Sequence, residues 1–262
     1  MTPQRLRLAQ FAALATTIVL LVLGVFAGYI VLSTAIAHQT PMGTDLQTYQ
    51  DRTSDWIAGR GFYLPRQLAG PYVIQGGDAL YPPTTLLLFV PFTLWLPAIF
   101  WWAIPLSIIA AAIIRVRPAW WSWPVLAVVL LYPRTWILLM YGNPAMWMLA
   151  ALAAGAAWGW PAPFAALKLA FAPLALISIR DRRWRLGLVV LVALSLPFGA
   201  MWIDYGHVLI NAQNPFGIGY LIGELPIAIA LVVALTKRPQ LSAPLSRSSR
   251  FRVRRKTVGP GE

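Results

Sequence analysis

FAALATTIVLLVLGVFAGYIVLSTAIA, Phe11–Ala37, runs for 27 residues without a charge. About 20 apolar residues in a helix cross a bilayer core. Lipid offers the backbone no hydrogen-bond partner, so a spanning segment must satisfy its own peptide groups, as a helix does. Five more charge-free runs repeat the signal: Pro83–Ile114, Pro118–Pro133, Thr135–Leu167, Leu186–Ile203 and Leu225–Thr236. Two of them, 32 and 33 residues long, exceed a single span and are expected to hold more than one crossing or a broken one. The reading is an all-α polytopic membrane protein with about eight transmembrane helices, some broken or re-entrant. Residues 1–236 form one transmembrane domain.

Composition agrees. The chain is 59% hydrophobic and 11% charged, against about 25% charged in soluble domains. Its Trp residues suit the headgroup belt, and Pro is tolerated in membrane helices because neighbouring groups satisfy the freed carbonyls. The net charge of +13 is placed against nucleic-acid binding: 8 of the 21 basic residues fall in Lys237–Lys256, where no acid occurs. Residues 237–262 therefore read as a disordered, basic cytoplasmic tail that touches anionic lipid. The absence of Cys excludes disulfides and thiolate metal sites. Arg5 and Arg7 precede the first run, as in a signal peptide, and Ala35-Ile36-Ala37 resembles a cleavage site. That run is longer than the roughly 7–15 residues of a signal core, so it is read as a retained first helix.

With Arg5 and Arg7 inside, the first helix delivers residues 38–82 to the outer side. This loop holds Asp45, Asp51, Asp55 and Asp78, half of the 8 acidic residues. Thr44–Ala58 places Leu46, Tyr49, Trp56 and Ile57 among polar residues, which predicts an amphipathic helix ended by Gly59-Arg60-Gly61. Tyr81-Pro82-Pro83 then opens the next helix. A break is expected around Pro91–Pro97, another at Tyr141-Gly142-Asn143-Pro144, and interruptions at Lys168 and Pro173. Arg180–Arg185 (RDRRWR) is a cytoplasmic connection, with both termini on that side. A parity question stays open. If every run crosses fully, Arg115 and Arg117 lie outside and the Gly142-Asn143 turn inside. If Pro83–Ile114 crosses once, the turn moves outside and Pro161–Ile179 must be re-entrant. No internal repeat is evident.

Three places have the residue types for chemistry. Asp45, in a partly apolar loop, has the makings of a general base tuned by desolvation and by cations such as Arg52 or Arg60; an N-terminal helix cap is the plainer role. Asp51 and Asp55 read as solvated, and Asp78 as a turn residue. Lys168 is the only charge between Thr135 and Ile179. An intramembrane cation of this kind either meets a lipid phosphate or snorkels to an interface. Arg134 and Asn143 flank a helix break, with Arg134 suited to phosphate and Asn143 to a sugar hydroxyl or a backbone cap. His38 and His207 have no ligand spacing, and no Gly-rich loop cradles a nucleotide.

These stretches also resemble the integral-membrane GT-C glycosyltransferases, most closely glycosyltransferase family 87 of the polyprenyl-phosphate-mannose-dependent type. The likeness rests on DLQTY at Asp45–Tyr49, GRGFY at Gly59–Tyr63, YPP at Tyr81–Pro83, YGN at Tyr141–Asn143 and ALKLAFAP at Ala166–Pro173, followed by the basic RDRRWR. The order covers residues 10–190; members of that family run longer, with further helices after the equivalent of Leu186–Ile203. The resemblance implies a GT-C fold and a large extracytoplasmic first loop with Asp45 as base. It implies a polyprenyl-phosphate sugar (mannose-like, or another pentose or hexose) as donor, and a glycan or glycolipid as acceptor. Lys168 and Arg134 would hold the phosphate, while Tyr49, Tyr63, Tyr81 and Asn143 would contact sugars, without a cofactor. A lipid or lipid-linked-sugar transporter and a non-catalytic accessory subunit are the alternatives.

Overall fold

The computed structural model describes residues 2–213 and 222–236. The expected basic tail and the start of the last return, residues 217–221, lie outside the described residues. Among the described residues the chain is helical, with one two-residue strand pair. Helix α1 (Pro3–Ala37) starts with Pro3 in its first turn and Thr2 accepting from the Arg5 amide. Most of its large apolar side chains are exposed, while Thr17, Gly24, Gly28 and Ala35 are buried. The small residues let a second layer approach, as in membrane helix pairs. A Cβ on Gly24 would lie 2.6 Å from Leu130 Cβ, and one on Gly28 would lie 2.6 Å from Trp136 Cε2. Those residues belong to α6 (Ser122–Leu131) and α7 (Pro133–Tyr141), which meet at a 65° bend. Tyr132, ahead of Pro133, is extended and ends α6.

Helix α2 (Thr44–Ile57) forms as its periodicity predicts, burying Leu46, Tyr49 and Thr53. It packs on α4 (Leu86–Leu94), to which Gln50 Nε2 donates at the Phe92 carbonyl. Between them, α3 (Pro65–Ala69) and β1 (Tyr72–Val73) are pinned by buried Gln67, whose Nε2 donates to the Ala79 carbonyl at 3.0 Å. Strand β1 pairs in parallel with β2 (Ala212–Gln213), at the end of α9 (Arg182–Ser195) and α10 (Gly199–Asn211). Helix α4 keeps to one end of the molecule. Helix α5 (Ile99–Val116) begins at that same end, because Trp101 Nε1 donates to the Gly142 carbonyl and Trp102 Nε1 to the Leu139 carbonyl, each at 2.7 Å. These two Trp are internal struts rather than belt residues.

Buried helix α8 (Ala145–Trp158) is the axis of the core. At its C-terminal end, Arg115 Nε donates to the Ala157 carbonyl, and a Cβ on Gly159 would lie 2.5 Å from Asp181 Oδ2. The basic segment Arg180–Arg185 is therefore at that end, with Arg115. At the other end lie Asn143, Asp45 and Tyr81. Residues 161–179 form three short 3₁₀ turns, with Lys168 and Pro173 between them as expected. The segment leaves Gly159, reaches Tyr81 with Lys168 and returns to Asp181 beside Gly159. It is a hairpin, not a passage. Helix α11 (Leu225–Leu235) packs on α6 and α8.

Pro83–Ile114 traverses the core once, the Gly142-Asn143 turn shares the Asp45 end, and 161–179 returns to its starting end. Among the described residues three helices are long and apolar enough to cross a membrane, or four with the bent pair taken as one. The chain is a membrane protein by these helices. Apolarity alone does not distinguish a passage from a buried hairpin, which is why the long charge-free runs leave both open in the sequence.

Candidate active site

Asp45 stands in the first turn of α2, but the cap position belongs to Gly43. Gly43 is left-handed (φ 77°) and donates its amide to the Met140 carbonyl at 2.9 Å, which ties the start of α2 to α7. Released from capping, the Asp45 carboxylate turns to Asn143, whose Nδ2 donates to Asp45 Oδ2 at 2.6 Å. Asn143 Oδ1 in turn accepts from the Ala145 amide at 2.9 Å and from the Tyr81 hydroxyl at 3.1 Å. Two donors on one atom fix which way the amide points. Asn143 therefore serves the helix start and the carboxylate at once. Gly142, in the left-handed region at φ 65°, lies so close to Trp102 and Leu46 that a Cβ would meet the indole at 3.0 Å.

The network continues through Tyr81. Lys168 Nζ approaches the Tyr81 hydroxyl at 3.5 Å and lies 5.6 Å from the centroid of its ring. At the hairpin apex, Lys168 makes an ion pair with Glu224 Oε2 at 3.2 Å, its side chain only 17% exposed. Arg134 supplies a second cation to the same carboxylate, donating from Nε and Nη2 to Glu224 Oε1 at 3.2 and 3.1 Å. Glu224, 2% exposed, immediately precedes α11. The cluster thus has a carboxylate end at Asp45 and a cation end at Lys168 and Arg134, joined by Asn143 and Tyr81.

The electrostatics follow from burial. Desolvation raises the Asp45 pKa above the ordinary carboxylate value, which the Asn143 hydrogen bond, then Lys168 and Arg134, oppose; Glu224 adds to the rise. Burial also holds the Tyr81 and Tyr63 phenols well above their usual range, so both keep their protons and donate hydrogen bonds. Tyr63 gives its hydroxyl to the Tyr81 carbonyl at 2.9 Å. Tyr49 meets Tyr81 edge-on at 5.4 Å and stacks on Phe89 at 4.6 Å.

All seven residues singled out from the sequence, Asp45, Tyr49, Tyr63, Tyr81, Arg134, Asn143 and Lys168, meet here. Several surroundings differ from expectation. Arg52 and Arg60 do not reach Asp45: both pair with Asp55, at 3.0 and 2.7 Å, which draws them along the outer face of α2. Asp55 is accordingly an ion-pair centre, its pKa lowered first by the Arg60 hydrogen bond. Asp78 is buried and paired with Arg66, beyond its turn role. Lys168 is paired with Glu224, a partner its reading as a lone intramembrane cation does not include. The rings of Tyr49, Tyr63 and Tyr81 are buried and form the wall behind the network, not open stacking platforms. Glu224 was not anticipated, nor was Tyr205, which stacks on Tyr63 at 6.1 Å. The one available signal was a lone acid directly before an apolar run.

Beside Glu224 an apolar groove of about 280 Å³ is lined by Tyr132, Ile222, Gly223, Leu225, Pro226 and Ile229. A larger open hollow of about 590 Å³ lies at the opposite end of α8, around Arg115 and Arg117. The chain matches no family model, no curated protein and no solved structure.

Proposed function

We propose that this membrane protein is a glycosyltransferase that takes a sugar from a polyprenyl-phosphate donor and passes it to a hydroxyl of a glycan or glycolipid, with inversion at the anomeric carbon. The observation that carries the reading is the network itself, a desolvated carboxylate linked by Asn143 and Tyr81 to Lys168, with Arg134 joined to Lys168 through Glu224. Asp45 takes the acceptor hydroxyl proton, the freed oxygen bonds to the anomeric carbon, and the bond from that carbon to the phosphate oxygen breaks. The charge left on the polyprenyl phosphate is met by Lys168 and Arg134, placed beforehand where it develops. The apolar groove formed by the residues flanking Glu224, the partner of both cations, suits an isoprenoid chain. The GT-C likeness of the ordered motifs points the same way.

The membrane placement we adopt puts the Arg115 and Arg180–Arg185 end of α8 in the cytoplasm with both termini, and the Asp45 end outside. It gives about six passages: α1, α5, the α6–α7 pair, α8, α9–α10 and α11. One observation favours a second reading, transport of a lipid-linked sugar: the 161–179 hairpin carries a charge at its apex, as broken elements of transporters do. The deciding assay supplies the purified chain with polyprenyl-phosphate sugars and hydroxyl acceptors and follows release of polyprenyl phosphate. Release by the wild type and none by Asp45→Asn is the expected result. Translocation of the donor without release, equal in both proteins, would establish transport instead.

A further inference from the structure

Glu224 sits between the two cations that the proposed reaction needs for its phosphate. Each of its oxygens faces one of them, Oε1 towards Arg134 and Oε2 towards Lys168. The fit is incomplete. Both Arg134 bonds fall on a single oxygen, so the fork-to-fork match of a guanidinium with a carboxylate is not used. Oε2, fully buried, faces the Lys168 ammonium at 3.2 Å without a well-aligned hydrogen bond among the described residues. A buried ion pair repays its desolvation only when geometry and remaining lone pairs are well satisfied. A phosphate, with more acceptor oxygens at tetrahedral angles, can serve both cations more completely. Glu224 also stands at the very start of α11, next to Gly223 and the groove.

We infer that Glu224 is an internal stand-in for the donor's phosphate: it holds Lys168 and Arg134 in place in the empty protein and yields them when a phosphate arrives. This rests on the glycosyl-transfer reading of the same cluster, and it adds an exchange which that reading does not require. The exchange keeps two cations from lying uncompensated in a buried site between turnovers. It also sets a threshold for ligands: an anion enters only if it satisfies the cations better than Glu224 does. A neutral lipid gains nothing there.

The test titrates polyprenyl phosphate into the full chain in lipid nanodiscs, for wild type, Glu224→Gln, Glu224→Asp and Glu224→Gln combined with Lys168→Ala, with inorganic phosphate as a parallel arm. Glu224→Gln is expected to bind polyprenyl phosphate about tenfold or more tightly than wild type. Glu224→Asp, retaining the charge on a shorter arm, gains less, and the double variant loses the gain. Thermal unfolding of Glu224→Gln begins below that of wild type and is restored by the ligand. If inorganic phosphate alone gives the gain, the exchange stands with free phosphate as the ligand, and the polyprenyl-donor reading falls. Equal or weaker binding of both phosphates by folded Glu224→Gln overturns the inference while wild-type donor binding keeps the proposed function. Should Glu224→Gln not fold, unchanged affinity in Glu224→Asp is the overturning result.

Discussion

The two ends of α8 each bring acidic and basic residues together, and they use them in opposite ways. At the C-terminal end Asp181 is exposed, caps α9 by accepting from the Arg183 amide at 2.9 Å, and stands among Arg180, Arg182, Arg183 and Arg185, most of them open to solvent. At the N-terminal end Glu224 and Asp45 are drawn inside with Lys168 and Arg134. Exposed charges interact weakly and mark which surface faces which compartment. Enclosed ones cost desolvation and persist where they are paired or used. Charge is an address at one end and a candidate for chemistry at the other.

The contrast breaks most visibly in stability. Glu224→Ala strands two partly enclosed cations, and its expected cost is about 3–5 kcal/mol, the usual size for removing one partner of a buried pair. A drop in thermal stability no larger than that of a surface variant would make the two ends alike. Next comes donor affinity. Lys168→Ala is expected to weaken polyprenyl-phosphate binding about 10–100-fold, since charge-assisted bonds of this kind contribute about 1.5–3 kcal/mol. Arg183→Ala, at the other end, leaves binding where it was. Equal losses in both would reduce Lys168 to one more basic residue near a headgroup.

The third difference is in pH. Asp45 must be ionised to take a proton, and burial raises its pKa. Transfer therefore declines as pH falls through a value above the ordinary carboxylate pKa of about 3.9, by roughly tenfold per unit below it. Asn143→Ala removes the hydrogen bond that lowers this pKa and moves the acid limb further up. A limb at the ordinary carboxylate position would mean that Asp45 is open to solvent rather than enclosed. The smallest effect belongs to Asp181→Ala, which loses a helix cap worth about 1 kcal/mol and leaves transfer intact. A rate loss there would tie the basic end to catalysis.

Much of the helical content was legible because apolar periodicity and breaker residues are local signals. Thr44–Ala58 reads as amphipathic and Tyr141–Pro144 as a break, and α2 and the α7–α8 junction follow. The number of crossings was not legible. Nothing local distinguishes 161–179, which turns back at Lys168, from a span of the same apolarity. Nor does anything local say that α4 and the start of α5 share one end; the Trp101 and Trp102 bonds to α7 and its C-terminal turn decide that. At the candidate site the seven residues were visible because a charge, an Asn or a Tyr at a break is conspicuous in an apolar chain. Glu224 was passed over since its meaning lies 90 residues away, in Arg134. The cations beside Asp45 were mistaken for Arg52 and Arg60, neighbours in sequence that fold onto Asp55 instead.

The central claim is that Asp45 is the base of a transfer reaction whose donor is held elsewhere in the cluster. Donor dissociation constant and single-turnover rate, measured together on wild type and Asp45→Asn with one polyprenyl-phosphate sugar, separate the two roles. With Asp45 as the base, Asp45→Asn keeps a donor affinity within a few-fold of wild type and turns over about 10²–10⁴-fold more slowly. Wild-type turnover in Asp45→Asn would contradict that role.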